Sequence, residues 1–192
     1  LGQVVSFRSE THLTCEVLLK ALNAELPRDM AALQLSEAPA EFHATRDALR
    51  KRYRYQMDDG PVRDVFARAY AWQLRERVDV GDMHRAAQTL VGTHDFASFE
   101  THGSPRDSSV RTVFELGLRR GQGAQSDRVT LEIEGNGFLY NMVRAIVGTL
   151  VEVGRGVRDE VWPAQVLSAC DRKAAGQTAP PQGLFLVRVD YE

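Results

Sequence analysis

The run Phe138–Val153 constrains this 192-residue chain more than any other stretch. Leu139, Met142, Val143, Ile146, Val147 and Leu150 recur at the helical period, which predicts an amphipathic helix with a wide apolar stripe. Such a stripe must be covered by a second layer. The sequence supplies that layer as strands. Arg52–Met57 alternates polar with apolar. So do Val110, Thr112, Phe114, Leu116 and Leu118, and Val129, Leu131 and Ile133 against Thr130, Glu132 and Glu134. Leu184–Tyr191 closes the chain as one more strand. Helices and strands mixed in this order make the expected class α+β. Asn141, Arg144 and Glu152 interrupt the apolar run, so it does not read as a membrane span.

The remaining elements are shorter. Val4-Val5-Ser6-Phe7 reads as a strand close to residue 1, and Leu33 and Leu35 suggest another. Cys15, Leu18, Leu19 and Leu22 keep a helical rhythm, with Asn23 as the stop. Tyr70, Trp72 and Leu74 alternate. Asp82 is placed to N-cap a helix through Met83, Ala86, Ala87, Leu90 and Val91, ended by Gly92. Asp159 can cap a helix that runs to about Cys170. A seam in the Glu37–Lys51 stretch divides residues 1–45, the remainder of an N-terminal α+β domain, from a C-terminal α+β domain, residues 46–192.

Composition narrows the function classes. A hydrophobic fraction of 43% supports a packed core. A net charge of −2, from 24 basic against 26 acidic residues, argues against a uniformly basic nucleic-acid protein but allows a local patch. Among the basic residues arginine dominates; the lysines are Lys20, Lys51 and Lys173. Cys15 and Cys170 make neither a disulfide scaffold nor a zinc site, and their helical positions predict small buried hydrophobes in a reducing, cytoplasmic compartment.

Three groups of residues could carry chemistry. Arg46, Arg50, Lys51, Arg52 and Arg54, interleaved with Tyr53 and Tyr55, combine phosphate-neutralising charge with aromatic faces that stack on bases. Strand alternation puts the tyrosines on one face and Arg52 and Arg54 on the other, which equally fits a strand with one packed and one solvated face. Arg144 falls at the border of its helix's apolar stripe, where it either snorkels to water or faces a cleft to hold an anion or carboxylate. His94 and Asp95, with His102 and Asp107, match no standard metal-ligand spacing, so a metal-dependent hydrolase is a remote reading. Gly135-Asn136-Gly137 reads as a turn before the helix rather than a phosphate cradle.

Read together, short motifs along nearly the whole chain resemble the TruA-type tRNA pseudouridine synthases. Gly2-Gln-Val-Val5 with Phe7, Asn23-Ala-Glu-Leu-Pro27 with Asp29, Phe42-His-Ala44 and Tyr53-Arg-Tyr55 occur in family order. Met83-His-Arg-Ala-Ala87, His94-Asp-Phe-Ala-Ser-Phe99 and Ser109-Val-Arg-Thr-Val113 follow. Gly137-Phe138, Met142-Val-Arg144, Ile146-Val-Gly148, Asp171-Arg172, Thr178-Ala-Pro180 and Gly183-Leu184 complete the series.

The resemblance implies a pseudouridine synthase fold, an antiparallel or mixed sheet flanked by helices, with two α+β halves around a cleft. It implies a cofactor-free isomerase that converts uridine to pseudouridine in the anticodon arm of tRNA, acting as a cytoplasmic homodimer without membrane association. It implies that Tyr53 stacks on the flipped uridine and that Phe138 lines the cleft. Arg144 matches the arginine that pairs with the catalytic carboxylate, and Arg50, Arg52 and Arg54 become candidate tRNA contacts. Thr45 stands where the family usually has arginine, with Arg46 next. The family's catalytic Gly-Arg-Thr-Asp loop is expected upstream of Leu1, and no such sequence occurs within residues 1–192. On that reading these residues alone are inactive, and the alternative is a non-catalytic tRNA-binding module derived from the same fold.

Overall fold

The computed structural model describes residues 1–101 and 108–191. The chain divides into two compact units, Val4–Asp47 on one side and Leu1–Gln3 with Ala48–Glu192 on the other.

In the smaller unit the regular element is α1, Cys15–Glu25, N-capped by the Thr14 side chain. The expected strands at Val4–Phe7 and Leu33–Leu35 are not formed. Alternation only marks which side chains could share a face, and a strand also needs a hydrogen-bonded neighbour. Asn23 does not stop α1. It lies inside the helix, where its amide donates to the Ala32 carbonyl at 2.9 Å and its oxygen accepts from the Ala32 amide at 2.8 Å. The helix ends two residues later, just before Pro27.

In the larger unit a six-stranded mixed sheet is built from β1 Arg50–Asp58, β2 Trp72–Gln73, β3 Gly92–Asp95, β4 Val110–Arg120, β5 Arg128–Gly135 and β6 Leu184–Asp190. The order is β2-β1-β5-β4-β3, with β6 pairing β1 beside β2. β1 is therefore central. It runs antiparallel to β5 over Lys51–Asp58, and antiparallel to β6 over Arg50–Tyr55. β2 joins β1 in parallel at Met57 and Asp58.

The apolar side of this sheet carries α2 Val80–Gln88 and α3 Met142–Gly154, with α4 Trp162–Ala169 packed beside them. Tyr55, Met57, Leu131, Ile133, Met142, Ile146 and Leu150 are fully buried in the core between. Each such side chain contributes on the order of 1.5–3 kcal/mol. α3 forms as its stripe requires.

Cap positions differ from expectation. Asp79, not Asp82, caps α2, and accepts from the Asp82 amide at 2.9 Å. An aspartate in the first turn suits the helix dipole as well as a cap does, so charge alone does not distinguish the two. Asp159 does not cap α4, which starts after Val161 with Pro163 in its first turn. Cys170 is exposed rather than buried: it ends α4 in the left-handed conformation, beyond the helical positions that face the core, and its thiol lies 3.6 Å from the Leu167 carbonyl. Cys15 is half-buried. No helix among the described residues is long and apolar enough to cross a membrane.

Candidate active site

The pleat of β1 sorts its side chains onto the two faces of the sheet. Arg52 and Arg54 lie directly opposite Glu134 and Glu132 of β5. Arg52 donates to Glu134 at 2.8 Å and also pairs with Glu115 of β4. Arg54 meets Glu132 at 2.6 Å. Arg50 reaches Glu134 at 3.3 Å and lies 4.5 Å over the Phe114 ring, and Arg188 of β6 also meets Glu134, at 3.1 Å. Burial alone would raise the Glu134 carboxyl pKa, but hydrogen bonds and charge from Arg52, Arg50 and Arg188 hold it below the usual range. The arginine-rich face is thus largely compensated by carboxylates. At one end of this face a groove of about 440 Å³ opens, bordered by Arg54, Tyr70, Arg119, Arg128 and Phe185.

Tyr53 and Tyr55 point to the other face and have different tasks. Tyr55 is fully buried and donates its hydroxyl to the Pro180 carbonyl at 2.6 Å. Burial raises the phenol pKa of both tyrosines. Tyr53 is half-buried and meets the Phe138 ring edge-on at 5.2 Å. Among the described residues its hydroxyl makes no hydrogen bond. The structure therefore brings Tyr53 and Phe138 together, and sets them on the opposite side of the strand from Arg52 and Arg54.

Phe138 follows the turn out of β5. Asn136 closes that turn: its side-chain oxygen accepts from the Thr112 amide at 2.9 Å, and its amide donates to the Thr112 carbonyl at 3.0 Å. Four residues on, α3 begins. Arg144 sits in its first turn, where the helix dipole disfavours a cation. Its Nε donates to the Ala179 carbonyl at 2.6 Å and its Nη1 to the Asn141 side-chain oxygen at 2.8 Å. Among the described residues it makes no ion pair, unlike Arg52, Arg54 and Arg120. A half-buried guanidinium fixed on two sides by neutral acceptors is prepared for a carboxylate or phosphate.

The segment that supplies Ala179 and Pro180 is clamped to α3. The Gly176 amide donates to Thr149 Oγ1 at 3.0 Å, and a Cβ on Gly148 would lie 1.7 Å from the Gln177 carbonyl oxygen. The crossing requires glycine there. Sequence reasoning missed this clamp and Asn141, although Asn141 stood out as a polar break in the apolar run. It also missed the buried Asp59, which accepts from both terminal nitrogens of Arg120 at 2.7 Å.

The hydrolase reading finds little here. His94 Nε2 bonds to the Val91 carbonyl, and Asp95 accepts from the Ala97 amide. Their neighbours on β3 alternate across the strand, while His102 and Asp107 lie outside the described residues. No cluster of three or more His, Cys, Asp or Glu that could hold a metal ion occurs among the described residues.

Residues 86–192 match a family model described as tRNA pseudouridine synthase. Over its whole length the chain is 42% identical to the tRNA pseudouridine synthase A of Thermoanaerobacter sp. (strain X514), covering 77% of that protein. It is 43% identical over 190 residues to the protein of the same name from Brevibacillus brevis, covering 99% of this chain and 76% of the relative. It is 41% identical over 192 residues to that of Listeria innocua, again covering 76% of the relative.

The chain belongs to the tRNA pseudouridine synthase family. The mixed α+β architecture agrees with the fold expected of the family.

Proposed function

We propose that this protein isomerises uridine to pseudouridine in the anticodon arm of tRNA, with Tyr53, Phe138 and Arg144 in the site. The single observation that carries this reading is Arg144, a half-buried guanidinium that is oriented by neutral acceptors and unpaired among the described residues. In the proposed reaction the C1′–N1 bond breaks, the base rotates, and C5 bonds to C1′. The proton on C5 leaves to solvent and N1 regains one, so no atom is gained and no cofactor is needed. Tyr53 stacks on the extruded base and Phe138 borders it. Arg144 would keep ionised the catalytic carboxylate that the family resemblance implies, since an opposite charge lowers a carboxylate pKa by about 1–3 units.

The tRNA contacts of Arg50, Arg52 and Arg54 are secondary on this reading, limited to the charge that Glu115, Glu132 and Glu134 leave uncompensated. A cytoplasmic homodimer fits the family resemblance and is checked by light scattering of the full-length protein. The shared name of the relatives favours a synthase over a non-catalytic binding module.

The test is to map pseudouridine, by carbodiimide modification and primer extension, in tRNA from cells with and without the gene. Loss of a carbodiimide stop in the anticodon arm on deletion, restored by the wild-type gene, supports the proposal. An unchanged anticodon arm refutes it.

A further inference from the structure

Asn141 has an unusual backbone and an unusual bond. It precedes α3 with φ 61° and ψ 6°, in the left-handed region that disfavours most side chains and that asparagine tolerates better than most. Asparagine at a helix start normally caps the helix, yet here its side chain makes no capping bond. Its oxygen accepts from Arg144 Nη1 at 2.8 Å instead, and its Nδ2 faces Thr101 Oγ1 at 3.3 Å. Arginine only donates, so the amide oxygen must point to Arg144, which leaves the NH₂ for the threonine hydroxyl. Thr101 is held in turn, as its amide donates to the Tyr140 carbonyl at 3.1 Å. The chain from Thr101 through Asn141 to Arg144 is therefore polar and directed.

We propose that Asn141 is a positioning residue that orients the Arg144 guanidinium without neutralising it. The inference rests on the reading of Arg144 as the partner of the catalytic carboxylate. An aspartate would hold the same nitrogen but would form a permanent ion pair with it, competing with the catalytic carboxylate. A backbone in the left-handed region with an unused cap is explained by this task and not by helix stability.

Two variants of the full-length enzyme, Asn141→Gly and Asn141→Asp, test the proposal in a single-turnover assay on unmodified tRNA, with tRNA affinity and thermal melts measured alongside. Glycine accepts the left-handed backbone freely, which offsets part of the two hydrogen bonds lost with the side chain, so Asn141→Gly stays folded and melts within a few degrees of wild type. Its rate falls on the order of 10- to 100-fold, as expected for a displaced catalytic group, while tRNA affinity is unchanged. Asn141→Asp, which keeps the shape and the acceptor, loses at least as much rate. If Asn141→Gly does not fold, Asn141→Asp decides the proposal. Wild-type rates in the folded variants overturn it. Arg144→Met, run beside them, separates the two readings. If it is inactive while both Asn141 variants are normal, only the positioning role fails. If it turns over at the wild-type rate, the Arg144 reading itself fails.

Discussion

Arg144 and Ala179 are joined twice: the Ala179 amide donates to the Arg144 carbonyl at 3.0 Å, and Arg144 Nε donates to the Ala179 carbonyl at 2.6 Å. Ala179 is fully buried, so removing the second bond strands a carbonyl. Arg144→Met therefore destabilises the protein by about 1–3 kcal/mol, the cost of an unsatisfied buried acceptor. A denaturant melt checks this. A loss beyond that range would make Arg144 chiefly a structural residue.

Gly148→Ala is expected to be far more damaging than its small volume suggests. Its Cβ would fall 1.7 Å from the Gln177 carbonyl oxygen, and backbone has to move to admit it. The displaced segment carries the Ala179 and Pro180 carbonyls that receive Arg144 and Tyr55. Overpacking of this kind costs about 1–3 kcal/mol or more. Thermal melts should show the loss, and activity should fall with it.

The Asp59–Arg120 pair makes a prediction in pH. Burial alone would raise the Asp59 pKa, but hydrogen bonds from Arg120 and the Val78 amide bring it below the usual carboxylate range. A depressed folded pKa gives stability that is present above the unfolded value, about 3.9, and is lost as pH falls through the folded value. Asp59→Asn should cost roughly 3 kcal/mol at pH 7, the lower end for breaking a buried pair, because Arg120 keeps some solvent contact. The difference between variant and wild type should shrink steadily in melts taken below pH 4.

The arginine face of β1 predicts a small salt effect. Each lysine or arginine that contacts a phosphate contributes close to one unit to the slope of log K against log salt. Arg50 and Arg52 already share Glu134, so the double variant Arg50→Ala/Arg52→Ala should flatten the tRNA-binding slope by less than one unit. A change of two units would mean that both arginines exchange glutamate for phosphate in the complex.

Much of this was legible in periodicity. The α3 stripe and the alternation of β1, β4 and β5 are dictated by burial on one face, and burial writes itself into every second or fourth residue. Val4–Phe7 and Leu33–Leu35 alternate yet form no strand, because pairing is non-local and alternation is not. The caps failed for a related reason: Asp79 and Asp82 both favour a helix start, and only backbone geometry chooses. The proposed site residues, Tyr53, Phe138 and Arg144, could be named from motifs. What holds them could not, since the Ala179 carbonyl, the Gly148 crossing and Thr101 reach Arg144 and α3 from distant parts of the chain. The charge density around Arg52 was visible, but its neutralisation by Glu132 and Glu134 depends on the β1–β5 register.

The central claim is that Arg144 serves uridine isomerisation in tRNA. Forming a bond from C5 of uridine expels its hydrogen, so tritium release from tRNA labelled at uridine C5 reads the reaction directly. The full-length protein should release tritium with multiple turnovers. Its Arg144→Met variant should be slower by at least about 100-fold, the range seen when a stabilising donor is removed, while it binds the same tRNA with unchanged affinity. Release by Arg144→Met at the wild-type rate, or no release by the wild-type protein from any tRNA, would contradict the account.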